Sequence, residues 1–213
     1  MTRNLTPSDR AIGFLDQAVR LLFGPPPTPD RPNPANRSAE VTLDTASREA
    51  SGRLMRVNHS GEVCAQALYQ GQAFTARNTE VRAKLERAAR EENDHLAWTT
   101  ERITELGGRP SYLNPLWYSG SLAIGAVAGV IGDRWSLGFL VETERQVVEH
   151  LEGHLERLPT DDARSRAIVE QMREDEGRHA TTAVEAGASE LPPPAKRLMR
   201  LVAKIMTTTS YWV

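Results

Sequence analysis

A glutamate followed about thirty residues later by Glu-x-x-His occurs twice in this chain. Glu62 precedes Glu92-x-x-His95 by 30 residues, and Glu144 precedes Glu176-x-x-His179 by 32. Each acid continues an apolar stripe at helical spacing. Leu54 and Asn58 lead to Glu62, then Ala65 and Tyr69; Val81, Leu85 and Ala88 lead to Glu92, His95 and Thr99. Leu137 and Leu140 lead to Glu144, then Val147 and Leu151; Ile168 and Met172 lead to Glu176, His179 and Ala183. Side chains three or four residues apart share one face of a helix. Four helices are therefore expected to turn a carboxylate inward, and two of them add an imidazole. Such acids find partners only where the helices converge on a common axis.

The remaining pattern agrees with helices alone. Long helical periodicities run over residues 49–77, 79–106, 115–158, 161–187 and 194–209. Gly107-Gly108 with Pro110, then Pro159, then Pro192 to Pro194, supply the stops. No strand-like alternation of useful length occurs, so the expected class is an all-α bundle. Ahead of it, Ser8 is placed to cap a helix reaching Phe23, with Ile12, Leu15, Val19 and Leu22 on one face. Six prolines (Pro25, Pro26, Pro27, Pro29, Pro32 and Pro34) then fall within ten residues, which reads as a stiff extended linker. Residues 35–47 are small and polar. Two parts are expected: 1–48, an amphipathic helix and Pro-rich linker, and 49–213, the bundle.

Composition excludes several classes. The 213 residues hold 26 Lys and Arg against 28 Asp and Glu, a net charge of -2, so a strongly basic nucleic-acid binder is excluded. Cys64 is the only cysteine, which excludes an internal disulfide and a Cys-based zinc or iron–sulfur site within one chain. It is read as a small buried residue. No secretory signal is expected at the N-terminus, and Asp9 and Asp16 interrupt the basic face of a mitochondrial presequence. The uninterrupted apolar run Leu122 to Ile131 is ten residues, half of the roughly 20 that cross a bilayer.

Four buried carboxylates without compensating charge would each cost several kcal/mol, by order of magnitude. Two divalent ions would balance them, and imidazole donors suit iron. One Glu plus one Glu-x-x-His, repeated, is the donor set with which a four-helix bundle holds a di-iron or di-manganese carboxylate centre. A single Glu-x-x-His is a common coincidence. Two copies, each preceded at matched distance by an inward Glu, are not. A dinuclear site with ions about 3.5–4 Å apart could engage both atoms of O2.

Further motifs surround these residues: Arg56-Val57-Asn58-His59-Ser60-Gly61-Glu62-Val63 with Ala65-Gln66 and Tyr69-x-Gly71-Gln72, then Glu91-Glu92-Asn93-Asp94-His95, Asn114-Pro115-Leu116-Trp117, Val141-Glu142-Thr143-Glu144 and Glu174-Asp175-Glu176-Gly177-Arg178-His179. Their order resembles that of the demethoxyubiquinone hydroxylase family over residues 49–213. The resemblance implies a ferritin-like bundle with additional membrane-interface helices and an O2-dependent monooxygenase of ubiquinone biosynthesis. It would hydroxylate the ring of a polyprenylated demethoxyubiquinol. Two iron ions would be held by Glu62, Glu92, His95, Glu144, Glu176 and His179, with Glu92 and Glu176 bridging. Reducing equivalents would come from NADH or from the quinol, indirectly, since no G-x-G-x-x-G follows a strand. Other ubiquinone-biosynthesis proteins would be its partners. Its location would be peripheral, on the cytoplasmic side of the cell inner membrane, or on the mitochondrial inner membrane of a eukaryote. Some relatives carry a Tyr next to the residue matching His150; here Leu151 stands there, so an electron-transfer role for that Tyr does not carry over.

Metal-bound histidines donate their second N–H to a neighbouring acid. In related di-iron bundles the acid just before such a Glu reaches the His of the opposite half, and this resemblance implies Asp175 with His95 and Glu91 with His179, the alternative for Glu91 being a solvated acid. His150 matches a family residue close to the site but lies off the ligand stripe. His154 lies on that stripe, two turns further on, and both histidines are read as structural. Tyr112, Trp117, Tyr118, Leu122 and Ile124 border or enter the apolar run and are expected at a membrane or substrate-access surface, the alternative being a buried helix start. Gly125-x-x-x-Gly129 permits close helix contact. Two further anchors are expected: the C-terminal helix, where Leu198, Leu201, Val202, Ile205 and Met206 alternate with Lys196, Arg197, Arg200 and Lys204, and the N-terminal helix, flanked by Arg10 and Arg20. Competing readings are a ferritin- or rubrerythrin-like ferroxidase or peroxide-handling di-metal protein and a metal-free membrane scaffold. Storage would require a hollow shell, and a rubredoxin module would require four cysteines.

Overall fold

The structure is a computed structural model and describes residues 7–39 and 41–213, without the side chains of residues 7–11 and Phe14. The described residues form seven α-helices and one short 3-10 turn: α1 Pro7–Phe23, the turn Pro34–Arg37, α2 Thr45–Thr75, α3 Thr79–Glu105, α4 Asn114–Ile131, α5 Asp133–Arg157, α6 Ala163–Glu185 and α7 Pro193–Trp212. The capping expected of Ser8 and the flanking charge of Arg10 concern side chains outside the described residues.

Local chemistry sets the helix ends. Asp44 accepts the Ser47 N–H at 2.8 Å and starts α2, four residues before the expected 49. Asn78 accepts the Glu80 N–H at 2.7 Å to start α3, and Asp162 accepts the Ser165 N–H at 3.0 Å in α6. Gly107 (φ 74°) and Gly187 (φ 89°) follow the ends of α3 and α6, where a left-handed residue is needed.

Helices α2, α3, α5 and α6 form the bundle. The α2–α3 and α5–α6 connections are short, whereas α3 reaches α5 only through α4, which crosses the outside of α2. One long crossover between two helical hairpins is the ferritin-like connectivity. The single helix expected over 115–158 is instead two. Gly132 sits at φ 141°, a backbone conformation that side chains disfavour. Asp133 then turns back, and its carboxylate accepts the backbone N–H groups of Arg77 (3.0 Å) and Asn78 (2.7 Å) in the α2–α3 turn. The break is thus held by a tertiary contact. On the other side of α4, Gly125 and Gly129 meet α2 so closely that a Cβ at Gly125 would run into the Leu68 carbonyl oxygen.

Two apolar clusters fill the bundle. One gathers Leu54, Met55, Trp98, Ile103, Leu151 and Met172; the other gathers Tyr69, Val81, Leu85, Leu137, Leu140 and Val141. Along every bundle helix, the inward glutamate lies between the residues contributed to one cluster and those contributed to the other. The Pro-rich segment is not a free spacer. Asn33, Pro34 and Ala35 are buried, and Ala35 belongs to the first cluster. No helix of the described residues is long and apolar enough to cross a membrane.

Candidate metal centre

The two copies of the repeat converge at mid-bundle. Oxygens and ring nitrogens of Glu62, Glu92, His95 and Glu176 come within 4.8 Å of one another, as do those of Glu144, Glu176 and His179, and all six residues are buried. His95 Nδ1 lies 2.9 Å from Glu92 Oε2, 3.1 Å from Glu176 Oε1 and 3.5 Å from Glu62 Oε2. His179 Nδ1 lies 3.1 Å from Glu176 Oε2 and 3.4 Å from Glu92 Oε1. Glu92 and Glu176 therefore each present one oxygen to either imidazole. Glu62 serves the His95 group and Glu144 the His179 group.

The opposite ring nitrogens are anchored across the bundle. His95 Nε2 donates to Asp175 Oδ2 at 3.0 Å, and His179 Nε2 donates to Glu91 Oε2 at 2.7 Å. Asp175 immediately precedes Glu176, and Glu91 immediately precedes Glu92, on the helix facing each histidine. This arrangement aims both Nδ1 atoms into the cluster.

Electrostatics shows the cluster short of positive charge. Burial, together with the neighbouring glutamates, pushes the Glu62 and Glu144 carboxyls well above the usual carboxylate range. Burial opposes charge on the two histidines, but Glu92, Glu176 and the anchoring acids outweigh it; His95 is raised well above its ordinary value and His179 to about 9. Protons thus occupy a place where cations would balance the acids. Glu92 Oε1 and Glu144 Oε1 are buried without a hydrogen-bond partner, an arrangement that costs free energy unless another acceptor of their lone pairs is present. The residues fit a pair of divalent ions.

Other expected residues fall elsewhere. His150 and His154 lie against each other, ring centroids 3.9 Å apart and planes tilted by 54°, about two and three turns along α5 from Glu144, and are not drawn into the cluster. Leu151 is core. Tyr118 is buried and donates to Gln70 Oε1 at 2.5 Å, while half-buried Trp117 donates to Ser210 at 3.1 Å. Leu122 packs on Val63, Ala67 and Leu96. Of Trp117, Tyr118, Leu122 and Ile124, only Ile124 faces outward. The outward face of α4 consists instead of Leu116, Ile124, Val127, Val130 and Ile131, and Tyr112 is exposed just before it. Of this face the sequence reading named only Ile124 and missed Leu116, Val127, Val130 and Ile131, which a helical period along the apolar run could have found; the aromatic pair misled because a Tyr hydroxyl and a Trp N–H also suit a buried site with a partner. Cys64 is half-buried, and burial pushes its thiol up to about 11.

A four-helix bundle with four inward glutamates and two Glu-x-x-His pairs defines a ferritin-like di-metal carboxylate protein. The fold likeness extends to the bacterioferritin-related dodecameric thioferritin of Bacteroides fragilis, at a TM-score of 0.54 and 20% identity over 67% of this chain and 85% of that one. Within this class, the family model of the ubiquinone biosynthesis protein COQ7 matches residues 49–210, and the chain belongs to that family. It is 58% identical to the 3-demethoxyubiquinol 3-hydroxylase of Nitrosococcus oceani, over 99% of both chains. It is 60% identical to the proteins of the same name from Nitrosospira multiformis (95% of this chain, 96% of that one) and Chromobacterium violaceum (96% and 99%).

Proposed function

We propose that the chain is a 3-demethoxyubiquinol 3-hydroxylase, an O2-dependent di-iron monooxygenase that hydroxylates the ring of a polyprenylated demethoxyubiquinol. The observation that carries this reading is the placement of Glu92 and Glu176, each with one oxygen toward His95 and one toward His179. In this reading Glu92 and Glu176 are the residues that would be shared between two irons. Glu62 with His95, and Glu144 with His179, would hold the pair from its two sides. A bound iron pair supplies the reductive activation of O2. Asp175 and Glu91 hold the imidazoles in the tautomer that leaves Nδ1 free, and the apolar clusters above and below keep water out. One oxygen atom enters the ring and the other leaves as water; the two electrons come from NADH or from the quinol.

A groove of about 1360 Å³ under α1 supports entry of the quinol head group. Its wall includes Gln66, one turn beyond Glu62, and Asn93, beside Glu92; Gln66 Nε2 donates to Asn93 Oδ1 at 2.7 Å. A prenyl tail calls for a lipid surface. Ile12, Leu15, Val19 and Phe23 of α1, the outer face of α4, and Leu198, Leu201 and Ile205 of α7 are exposed apolar stripes suited to one. The location in this reading is peripheral, on the cytoplasmic side of the inner membrane, where other ubiquinone-biosynthesis proteins would be met.

The test is a product assay. Protein loaded anaerobically with ferrous iron receives a short-chain demethoxyubiquinol and O2. A ring product one oxygen atom heavier is expected. Two bound irons with no hydroxylated product would overturn the assignment. Flotation with anionic phospholipid vesicles tests the location, and failure to float would remove that part.

A further inference from the structure

The segment ahead of residue 49, outside the matched COQ7 model, reaches the metal centre through one side chain. Arg31 lies in the Pro-rich stretch, and three contacts fix it. Its Nε donates to Asp94 Oδ2 at 2.6 Å, its Nη1 lies 2.8 Å from Asp175 Oδ2, and its guanidinium stands 4.9 Å from the Trp98 ring centroid. The backbone is held as well: Asp94 Oδ1 accepts the Asp30 N–H at 2.6 Å, and Trp98 Nε1 donates to the Arg31 carbonyl at 3.4 Å. Asp175 Oδ2, the oxygen that Arg31 grips, is the one that accepts from His95 Nε2. The Asp175 side chain is 1% exposed.

We propose that Arg31 is a positioning residue for the His95 half of the metal centre, acting through Asp175. A fork spanning two carboxylates, with its flat face on an indole, leaves Asp175 one orientation. That orientation sets the plane of the imidazole and the aim of Nδ1. The His179 half is built differently. Its anchor Glu91 is 40% exposed, and no ion pair with an arginine is found for Glu91 among the described residues. The two metal positions are therefore inequivalent, one locked by the N-terminal arm and one open to solvent adjustment. The proposal rests on His95 and His179 being metal ligands.

The test is anaerobic titration of the full chain with Co(II) alone, followed by visible absorption of the bound ion. The parent is expected to take two ions. Arg31→Ala is expected to weaken one of them by about 10-fold, the low end of the usual range for lost outer partners, and to leave the other unchanged. Asn33→Ala removes the bond from Asn33 Nδ2 to Glu101 Oε2 (2.7 Å) in the same arm without touching Arg31. It is expected to lower Tm while keeping both affinities. Should Arg31→Ala fail to fold, Arg31→Lys keeps the charge, cannot span both acids, and is expected to give the same selective weakening to a smaller degree. Equal weakening of both ions, no weakening, or the same change in Asn33→Ala would overturn the proposal. A parent that binds no Co(II) would overturn the ligand assignment and the proposal together, whereas two ions in the parent and an unchanged Arg31→Ala overturn the role of the arm alone.

Discussion

His179 Nε2 lies 2.7 Å from Glu91 Oε2, and Glu91 is the residue just before Glu92 on the facing helix. The His95–Asp175 pair repeats this relation from the other half of the bundle. Glu91→Ala removes the anchor of one imidazole, and iron affinity is expected to fall at least 10-fold by chelator competition, in line with the usual effect of such partners. Asp175→Ala is expected to cost more, since Asp175 is buried and also binds Arg31, Arg178 and Gln171. Unchanged affinity in both variants would remove the anchoring role.

Glu176 is the residue that both metal-ligand groups share. Glu176→Ala is expected to drop bound iron below two per chain and to abolish hydroxylation. Full iron content with turnover retained would show that Glu176 does not bridge.

Metal binding is expected to release protons. Glu62, Glu144, His95 and His179 all have raised affinities for protons, His179 to about 9, so at neutral pH the metal-free cluster holds protons that ligation must displace. Affinity therefore rises with pH and stops gaining from His179 once pH passes about 9. Acidification of a weakly buffered anaerobic titration checks this; no proton release would contradict it.

The adjacent histidines of α5 make a separate prediction. Burial pushes His150 down to about 4 and His154 to about 2, with Arg157 adding to both. Both are neutral in the fold and titrate near the ordinary 6.5 once unfolded. Their contribution is whole above that value and is lost as pH falls below it, at up to about 1.4 kcal/mol per pH unit for each. Urea unfolding of metal-free His154→Leu is expected to lose less stability than the parent between neutral pH and about pH 5. An equally steep acid limb would refute this.

Gly125 and Gly71 place α4 directly on the α2 backbone. A Cβ at Gly71 would meet the Leu122 carbonyl oxygen just as one at Gly125 meets that of Leu68. Gly125→Ala must push the helices apart, at a cost of about 1–3 kcal/mol or more. Tm is expected to fall by several degrees, about 2–4 °C per kcal/mol for a chain of this size. An unchanged Tm would mean that α4 docks differently.

The six inward side chains were legible in the linear pattern, whereas the Asp175–His95 and Glu91–His179 pairs, 80 and 88 residues apart, were expected only from the likeness to related di-iron bundles. Helical period alone decides which residues share a face, and period is a local property. The same reasoning joined α4 to α5, because nothing local distinguishes Gly132 from Gly120 or Gly129. It placed Tyr118 and Trp117 outward because their amphipathic rings suit either setting.

What the amino-acid order determined by itself was the class of fold and the donor set, since each follows from residues within a few turns of one another. What only the tertiary structure decided was how distant segments meet. Asp133 reaches the α2–α3 turn, and Arg31 crosses from a proline-rich stretch to Asp175, more than a hundred positions away. Contacts of that separation depend on the path of the whole backbone, and no periodicity encodes them.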